Sequence, residues 1–248
     1  SAANTTLKDY SENLEERVKE RTLELEQSRN TIESMKEKLE GALYSTMDPV
    51  VVKLMIEKKL RNEKRDITLL FSDLVNFSSY SENNPPEVVI ADINRYLQDM
   101  EPILLSYSGH IDKYMGDALM AFWGAPLPDD NHAEHAVNAA LEIKQSAEKL
   151  NFKFRQRGWP TMALSIGINT GLMHVGDMGS NIRRAYTVMG DAVNIAAQIQ
   201  TLTRQYGTDI LMASQTAAEL KIFEFRAIDC VKFPGRRHVI ELFEPIAK

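Results

Sequence analysis

Two aspartates stand where chemistry on a phosphate would need them. Asp73 follows the apolar run Ile67-Thr-Leu-Leu-Phe-Ser and opens Asp73-Leu-Val-Asn-Phe77, so a carboxylate ends a buried strand and precedes a loop whose amides can face an anion. Asp117 follows Gly116 between the apolar stretches Ser108 to Met115 and Ala118 to Trp123, the signal of a hairpin with a tight Gly-Asp turn. If the hairpin pairs beside the first strand, both acids reach one sheet edge. There they could chelate Mg²⁺ and leave coordination positions for water and phosphate oxygens, the outline of two-metal phosphoryl transfer. Spacing alone leaves plainer roles open: a helix cap for Asp73 and a turn residue for Asp117.

The elements that must position these acids follow from periodicity. After the strand that begins at Ile67, Pro85-Pro86 opens a helical pattern through Val89, Ile93, Tyr96, Leu97 and Met100. The hairpin comes next, then a long amphipathic helix from Asp129 to about Phe154 and a strand from Met162 to Asn169. Gly171 to Gly176 reads as a turn and short strand, and Tyr186-Thr-Val-Met as a strand running into a helix that carries Val193, Ile195 and Ile199. Asn194 suits a helix N-cap there, given Gly190-Asp191 just before it. A last strand spans Val239 to Glu244. Strand, helix, hairpin, helix, strand describes an α+β sheet of the ferredoxin-like kind.

The N-terminal part differs in kind. From Leu7 to Leu43 there is no Pro, and Glu, Lys, Arg and Leu dominate. With Val18, Leu25, Ile32 and Leu39 at heptad position a, Leu7, Leu14, Met35 and Ala42 fall at d, interrupted by Arg21 and Ser28. This narrow stripe among charges predicts a parallel coiled coil over 1–45, on the order of 55 Å long. The run Leu14-Glu-Glu-Arg-Val-Lys-Glu-Arg-Thr-Leu-Glu-Leu also resembles linkers that follow sensor modules in bacterial signalling proteins. A boundary is expected near Met47-Asp48-Pro49, with Asp48 capping a short helix. Residues 46–65 then form a connector and 66–248 the globular domain.

Composition narrows the function classes. Net charge is −6, from 29 basic and 35 acidic residues, which argues against nonspecific binding to nucleic acid or anionic membrane. The apolar runs are far short of the roughly 20 residues a membrane span requires, so a soluble chain is expected. A single cysteine, Cys230, forms no internal disulfide and suits a reducing cytoplasm. His132 and His135, three apart on the second long helix, lack a third ligand nearby and read as surface or capping groups. Met115, Met120, Met162, Met173 and Met189 read as core fillers. Ser1-Ala-Ala, without an initiator Met or signal peptide, reads as the start of an excised piece, so an upstream domain is expected.

Three stretches together resemble the class III nucleotidyl cyclases, the adenylyl and guanylyl cyclase family: Phe71-Ser-Asp73-Leu-Val-Asn-Phe77, Lys113-Tyr-Met-Gly-Asp117-Ala-Leu-Met-Ala-Phe and Tyr186-Thr-Val-Met-Gly-Asp-Ala-Val-Asn194-Ile-Ala. The resemblance covers roughly residues 66 to 245. It implies that Asp73 and Asp117 bind two Mg²⁺ or Mn²⁺ ions per active site, which hold the triphosphate and activate the ribose 3′-hydroxyl. By the same resemblance Lys113 contacts purine N1, Thr187 reads the exocyclic group, Asn194 positions the ribose, and Phe77 lies in the substrate-binding motif.

Lysine is a pure donor and adenine N1 an acceptor, so Lys113 favours ATP; guanylyl relatives tend to carry Glu and Cys at the two base-reading positions. Where the family usually places an arginine one turn after Asn194, this chain has Gln198. Arg183, Arg184 and Arg204 are candidates to supply the missing charge, which by analogy with arginine fingers is worth on the order of 10³-fold in rate. Arg236, in Pro234-Gly-Arg-Arg237, stands near a family Lys-Gly-Lys and reads as a solvated turn or a phosphate contact.

The family resemblance further implies a homodimer, the acids of one subunit facing the base-reading and ribose residues of the other. The expectation is an adenylyl cyclase forming 3′,5′-cyclic AMP and pyrophosphate, its catalytic portion cytoplasmic and fed by an upstream sensor. The alternatives are a silent nucleotide-binding dimer, motivated by Gln198, and a guanylyl cyclase. A diguanylate cyclase is set aside because no Gly-Gly-Asp/Glu-Glu-Phe motif occurs.

Overall fold

In the computed structural model, which describes residues 2–44, 46–156, 161–180, 182, 184–236 and 238–246, the chain divides into two compact units, Ser1–Ile56 and Glu57–Lys248. The first unit holds α1 (Ala2–Tyr44) and α2 (Pro49–Ile56). Along α1 the seam residues Leu14, Val18, Leu25, Ile32, Met35 and Leu39 stand exposed in the single chain, at 49% to 69% of their full surface. The side chain of Leu7 lies outside the described residues. Asp48 caps α2, its Oδ1 accepting from the amide of Val50 at 2.7 Å, with Pro49 in the first turn.

The second unit grows from β1 (Glu63–Val75), whose Ile67, Leu69, Leu70 and Leu74 are at most 2% exposed. It is followed by α3 (Phe77–Glu82), α4 (Pro86–Ser106), the hairpin β2 (His110–Met115) and β3 (Ala118–Trp123), α5 (His132–Gln156) and β4 (Ala163–Gly179). These strands stand in the order β2-β3-β1-β4, the β-α-β-β-α-β succession read from the sequence. Then come β5 (Arg184–Met189), α6 (Asp191–Tyr206), β6 (Ile210–Ala213), α7 (Ser214–Glu219), β7 (Glu224–Val231) and β8 (Ile240–Ile246). Among the described residues the sheet has eight strands: β6, β8 and β7 extend it beyond β4, and β5 pairs with the far end of β4. Only β4 and β6 run parallel among the described residues.

The two faces of the sheet carry different cores. Leu70, Leu74, Ile166 and Ile168 pack with Tyr96, Met100 and Leu104 of α4 and Val137 and Ile143 of α5. On the other face Ile195 and Ile199 of α6 pack against Leu211, Ala213 and Leu242. Strand parity places Ser165, Gly167 and Asn169 toward α6. A Cβ on Gly167 would lie 2.3 Å from the amide nitrogen of Gln200 and 2.4 Å from the carbonyl of Ala196, so the helix backbone rests directly on the strand.

Three local expectations are corrected. β4 is one strand of 17 residues, not a strand followed by a turn. Its glycines make room for neighbours: at Gly176 a Cβ would meet the Oδ1 of Asn62 at 2.0 Å. His132 is no surface group, since its Nδ1 lies 2.7 Å from the Oγ1 of Thr68 in a hydroxyl network with Thr170 and Thr216. His135 does sit at the head of α5, with Nδ1 2.8 Å from Asp129 Oδ2. Met115 and Met189 are 45% and 61% exposed, so neither fills the core.

The α6–β4 contact governs everything placed by that helix. Gly167→Ala should destabilise the Glu57–Lys248 unit by about 3 kcal/mol, because the added methyl meets backbone that no rotamer change relieves; urea denaturation followed by circular dichroism measures the loss.

Candidate active site

The sheet register brings the two aspartates together. β1 pairs with β3 up to Ser72↔Leu119, so Asp73 lies beside the β2–β3 turn. Gly116 takes φ +70 at the first central position of that turn, a conformation glycine adopts without strain, and Asp117 follows it. The amide of Leu74 donates to Asp117 Oδ2 at 3.3 Å. Burial, then a hydrogen bond with Asp73 and the negative charge of Asp73, push the Asp117 carboxyl up from 3.8 to about 6, against the backbone amides of Asp117 and Leu74. Asp73 is therefore no helix cap, and Asp117 is more than a turn residue.

Asp73 has its own supports. Its strand partner is Ser165, and on that face α6 supplies Arg204, whose Nη2 lies 2.9 Å from Asp73 Oδ2, and Gln200, whose Nε2 lies 3.4 Å from the same oxygen. Gln200 is fixed by Ser165 Oγ at 2.6 Å. Beneath the pair, buried Tyr96 shares a hydrogen bond of 3.2 Å with Ser72, and its hydroxyl is pushed up by burial and by the two carboxylates, opposed by Ser72. Phe77 opens α3 and packs against the core, its ring 6.1 Å from that of Tyr80.

Two carboxylates without a further protein anion suit a divalent cation that completes its shell with water and phosphate. Among the described residues no group of three or more His, Cys, Asp or Glu forms a closed metal site. The donor set fits Mg²⁺ or Mn²⁺, with Asp73 and Asp117 as the residues to hold it.

A second cluster forms where β5 meets the hairpin. The ring of Tyr186 lies 5.7 Å from that of His110 on β2 and 6.3 Å from Phe122 on β3, strands with which β5 does not pair. Beside it Thr187 Oγ1 donates to Asp112 Oδ2 at 3.1 Å, and the Lys113 ammonium lies 3.1 Å from the same oxygen. Lys113 and Thr187 are thus brought together through Asp112, a residue the sequence reading passed over although it directly precedes Lys113.

The third cluster lines a cavity of about 370 Å³ at the head of α6: Asp191, Asn194, Ala197, Gln198, Pro234, Gly235 and Arg236. Gly190 occupies the N-cap, so Asn194 is an interior residue of the helix and not its cap. Arg236 is not a solvated turn; its guanidinium clamps the Asp191 carboxylate, and its side chain is 19% exposed. The Oε1 of Gln198 is buried without a hydrogen-bond partner among the described residues. Of the candidate replacement cations, Arg204 reaches Asp73, Arg184 is bound to Asp177 across the β4–β5 hairpin at 3.1 Å, and Arg183 lies outside the described residues, as does Arg237.

Comparison with known proteins identifies the family and the fold. The sequence model of the Adenylate and Guanylate cyclase catalytic domain matches residues 60–243. Adenylate cyclase 1 of Rhizobium meliloti (strain 1021) is 33% identical over 184 residues, 74% of this chain and 28% of that protein. The chain therefore spans well under half the length of that relative. Among solved structures, the adenylyl cyclase CyaB from P. aeruginosa superposes with a TM-score of 0.70 at 27% identity, covering 76% of this chain and 97% of that one. The guanylyl cyclase Cya2 superposes at 0.66 and 30% identity, covering 74% and 93%.

The raised Asp117 carboxyl has a measurable consequence. Its folded value exceeds that of the unfolded chain, so its contribution to metal-free stability is complete below about pH 4 and is lost as pH rises through about 6. In EDTA at pH 7.5, Asp117→Asn should melt above the parent, and the gap should close at pH 4; a gap independent of pH would show that the carboxylate is not under strain.

Proposed function

The chain belongs to the adenylate and guanylate cyclase catalytic domain family, and from that premise we propose that it is an adenylyl cyclase, forming 3′,5′-cyclic AMP and pyrophosphate from ATP at sites shared by two copies of the chain. The observation that carries this reading is the Asp73–Asp117 carboxylate pair at one end of the sheet, with a separate Lys113–Asp112–Thr187 cluster on the same chain. Two Mg²⁺ or Mn²⁺ ions held by Asp73 and Asp117 would draw charge from the triphosphate and ease attack of the ribose 3′-hydroxyl on the α-phosphorus, pyrophosphate leaving.

Each remaining residue has a task set by its chemistry. Lys113 donates to adenine N1 and Thr187 accepts from the 6-amino group. Asn194 offers its amide to the ribose from the α6 cavity, and Arg236, held on Asp191 in the wall of that cavity, is a candidate for a phosphate contact only if it leaves that carboxylate. Phe77 and Arg184 remain candidates at the margin of the substrate. Arg204, already on Asp73 Oδ2, is the cation best placed to offset charge on the phosphates where Gln198 brings none.

Sharing between chains follows from the helix. Asn194 and Arg204 are separated by about 15 Å along α6, and Arg204 touches Asp73 of its own chain. A twofold dimer lays the Asn194 end of one chain against the carboxylates of the other and makes two equivalent sites. The exposed seam of α1 supplies a parallel coiled coil that raises the effective concentration of the second domain. A sensor domain upstream, residues 46–65 as the connector and a cytoplasmic setting complete the reading; among the described residues no helix is long and apolar enough to cross a membrane.

Gln198 favours one other reading, a silent dimer that binds ATP and relays a conformational signal. Turnover with Mn²⁺ and ATP decides between them: ATP binding with no cyclic AMP above background sinks the enzyme. If the site is shared, mixing Asp73→Ala chains with Asn194→Ala chains should restore up to about one quarter of parental activity, from the single intact site in each mixed dimer; absence of recovery in verified mixed dimers rejects it.

A further inference from the structure

Asp112 sits at a β-bulge. The β2–β3 register slips between Ile111↔Ala121 and Lys113↔Met120, which leaves Asp112 as the extra residue. In a regular strand the side chains of Asp112 and Lys113 would point to opposite faces; a bulge re-aims them, and here the Lys113 ammonium reaches Asp112 Oδ2 at 3.1 Å. From another strand, Thr187 donates its hydroxyl hydrogen to that same oxygen at 3.1 Å. The Asp112 side chain is 1% exposed, whereas that of Lys113 is 45% exposed. Its second oxygen, Oδ1, is buried without a hydrogen-bond partner among the described residues. A buried carboxylate with one oxygen unsatisfied is costly, and nothing in the apolar packing calls for it.

We propose that Asp112 is the positioning residue that makes the nucleotide pocket selective for adenine, by dictating which hydrogen-bonding partner Thr187 and Lys113 present to the base. The inference rests on the base-reading role proposed above for those two residues. A threonine hydroxyl has one hydrogen and two lone pairs, and a carboxylate only accepts. Once the hydrogen is committed to Asp112, Thr187 faces the base as an acceptor alone. Lys113 gives one of its three hydrogens to Asp112, which holds the ammonium in place and leaves two to donate. The pocket then presents an acceptor beside a donor. Adenine offers the complement, a 6-amino donor beside the N1 acceptor. Guanine offers O6 and N1–H, a mismatch at both positions. Thr187 without Asp112 is free to turn its hydrogen toward O6, and Lys113 loses its tether.

The binding test uses α,β-methylene analogues of ATP and GTP, which cannot be cyclised, competing with a fluorescent nucleotide on the full chain in Mn²⁺. Asp112→Asn places an amide that can donate to Thr187, so the preference for the adenine analogue should fall about 10- to 100-fold, the size expected when one buried mismatch is relieved. Asp112→Glu retains acceptor-only oxygens and should stay nearer the parent; equal loss in both would assign the effect to packing and overturn the proposal. Lys113→Glu is the reference. If it moves the preference toward guanine while folded Asp112→Asn stays within twofold of the parent, Asp112 has no such role and the base-reading assignment survives. If Lys113→Glu leaves the preference unchanged, that assignment fails and this inference with it. Should Asp112→Asn not fold, Thr187→Val, which removes the hydroxyl that Asp112 orients, must lower the preference by a similar factor, and an unchanged value overturns the proposal.

Discussion

Two carboxylates held side by side at the end of a sheet repel each other, and much of the domain is arranged around that repulsion. Unit charges a few ångströms apart near a protein surface cost about 4 kcal/mol. The chain offsets part of this in three ways: Asp117 holds its proton to about pH 6, the amide of Leu74 points at Asp117, and Arg204 and Gln200 point at Asp73. Two of these supports come from α6, which reaches Asp73 because Gly167 lets its backbone rest on β4. The acids, the glycine and the helix are one mechanical unit. A divalent cation, in the reading proposed above, would add to it the positive charge that the protein groups supply only in part.

In the shared-site reading proposed above, α6 is also the reason one chain would not close its own site. Its later turns serve the carboxylates through Gln200 and Arg204, while its first turns, with Asn194 and Gln198, line a cavity walled by Arg236. A straight helix cannot direct both ends at one triphosphate. Placed in a twofold dimer, the same helix contributes to both sites, so a shift of one subunit changes both at once. In the reading adopted above, rotation passed down α1 would act on catalysis through this sharing.

What the sequence disclosed depended on whether the signal was local. Asp117 was legible because Gly-Asp between apolar runs marks a hairpin; Asp73 stood out as a polar residue after an apolar run, although β1 does not end there as expected but runs on to Val75. Their meeting required only that the hairpin pair beside β1. The unbroken β4 was not legible, since Gly171 and Gly176 look like turn residues until Asn62 is seen occupying the space a side chain would take. Asp112 was hidden for another reason: alternation assigns it to the face opposite Lys113, and a one-residue bulge leaves no compositional trace. Arg204 could be named as a cation near the site, but its half of the site depends on the β1–β4 register and on how closely α6 packs. Gln200 carried no signal at all.

In the proposed dimer, the neutral Gln198 bears on how the two halves would assemble. Were the compensating charge on the partner's helix, association would carry it toward the carboxylates and electrostatics would favour the closed site even without nucleotide. Here the cation, Arg204, is already on the chain that bears the acids, 2.9 Å from Asp73, and the α6 cavity contributes neutral amides and an Arg236 committed to Asp191. Each half-site is then partly neutralised before the halves meet, so their mutual attraction is weaker and must come from elsewhere. The exposed seam of α1 and the triphosphate itself are the available sources. In that reading the assembly would close firmly only when substrate bridges its halves, which would leave a coiled coil through α1, rather than charge at the site, to decide when the halves are aligned.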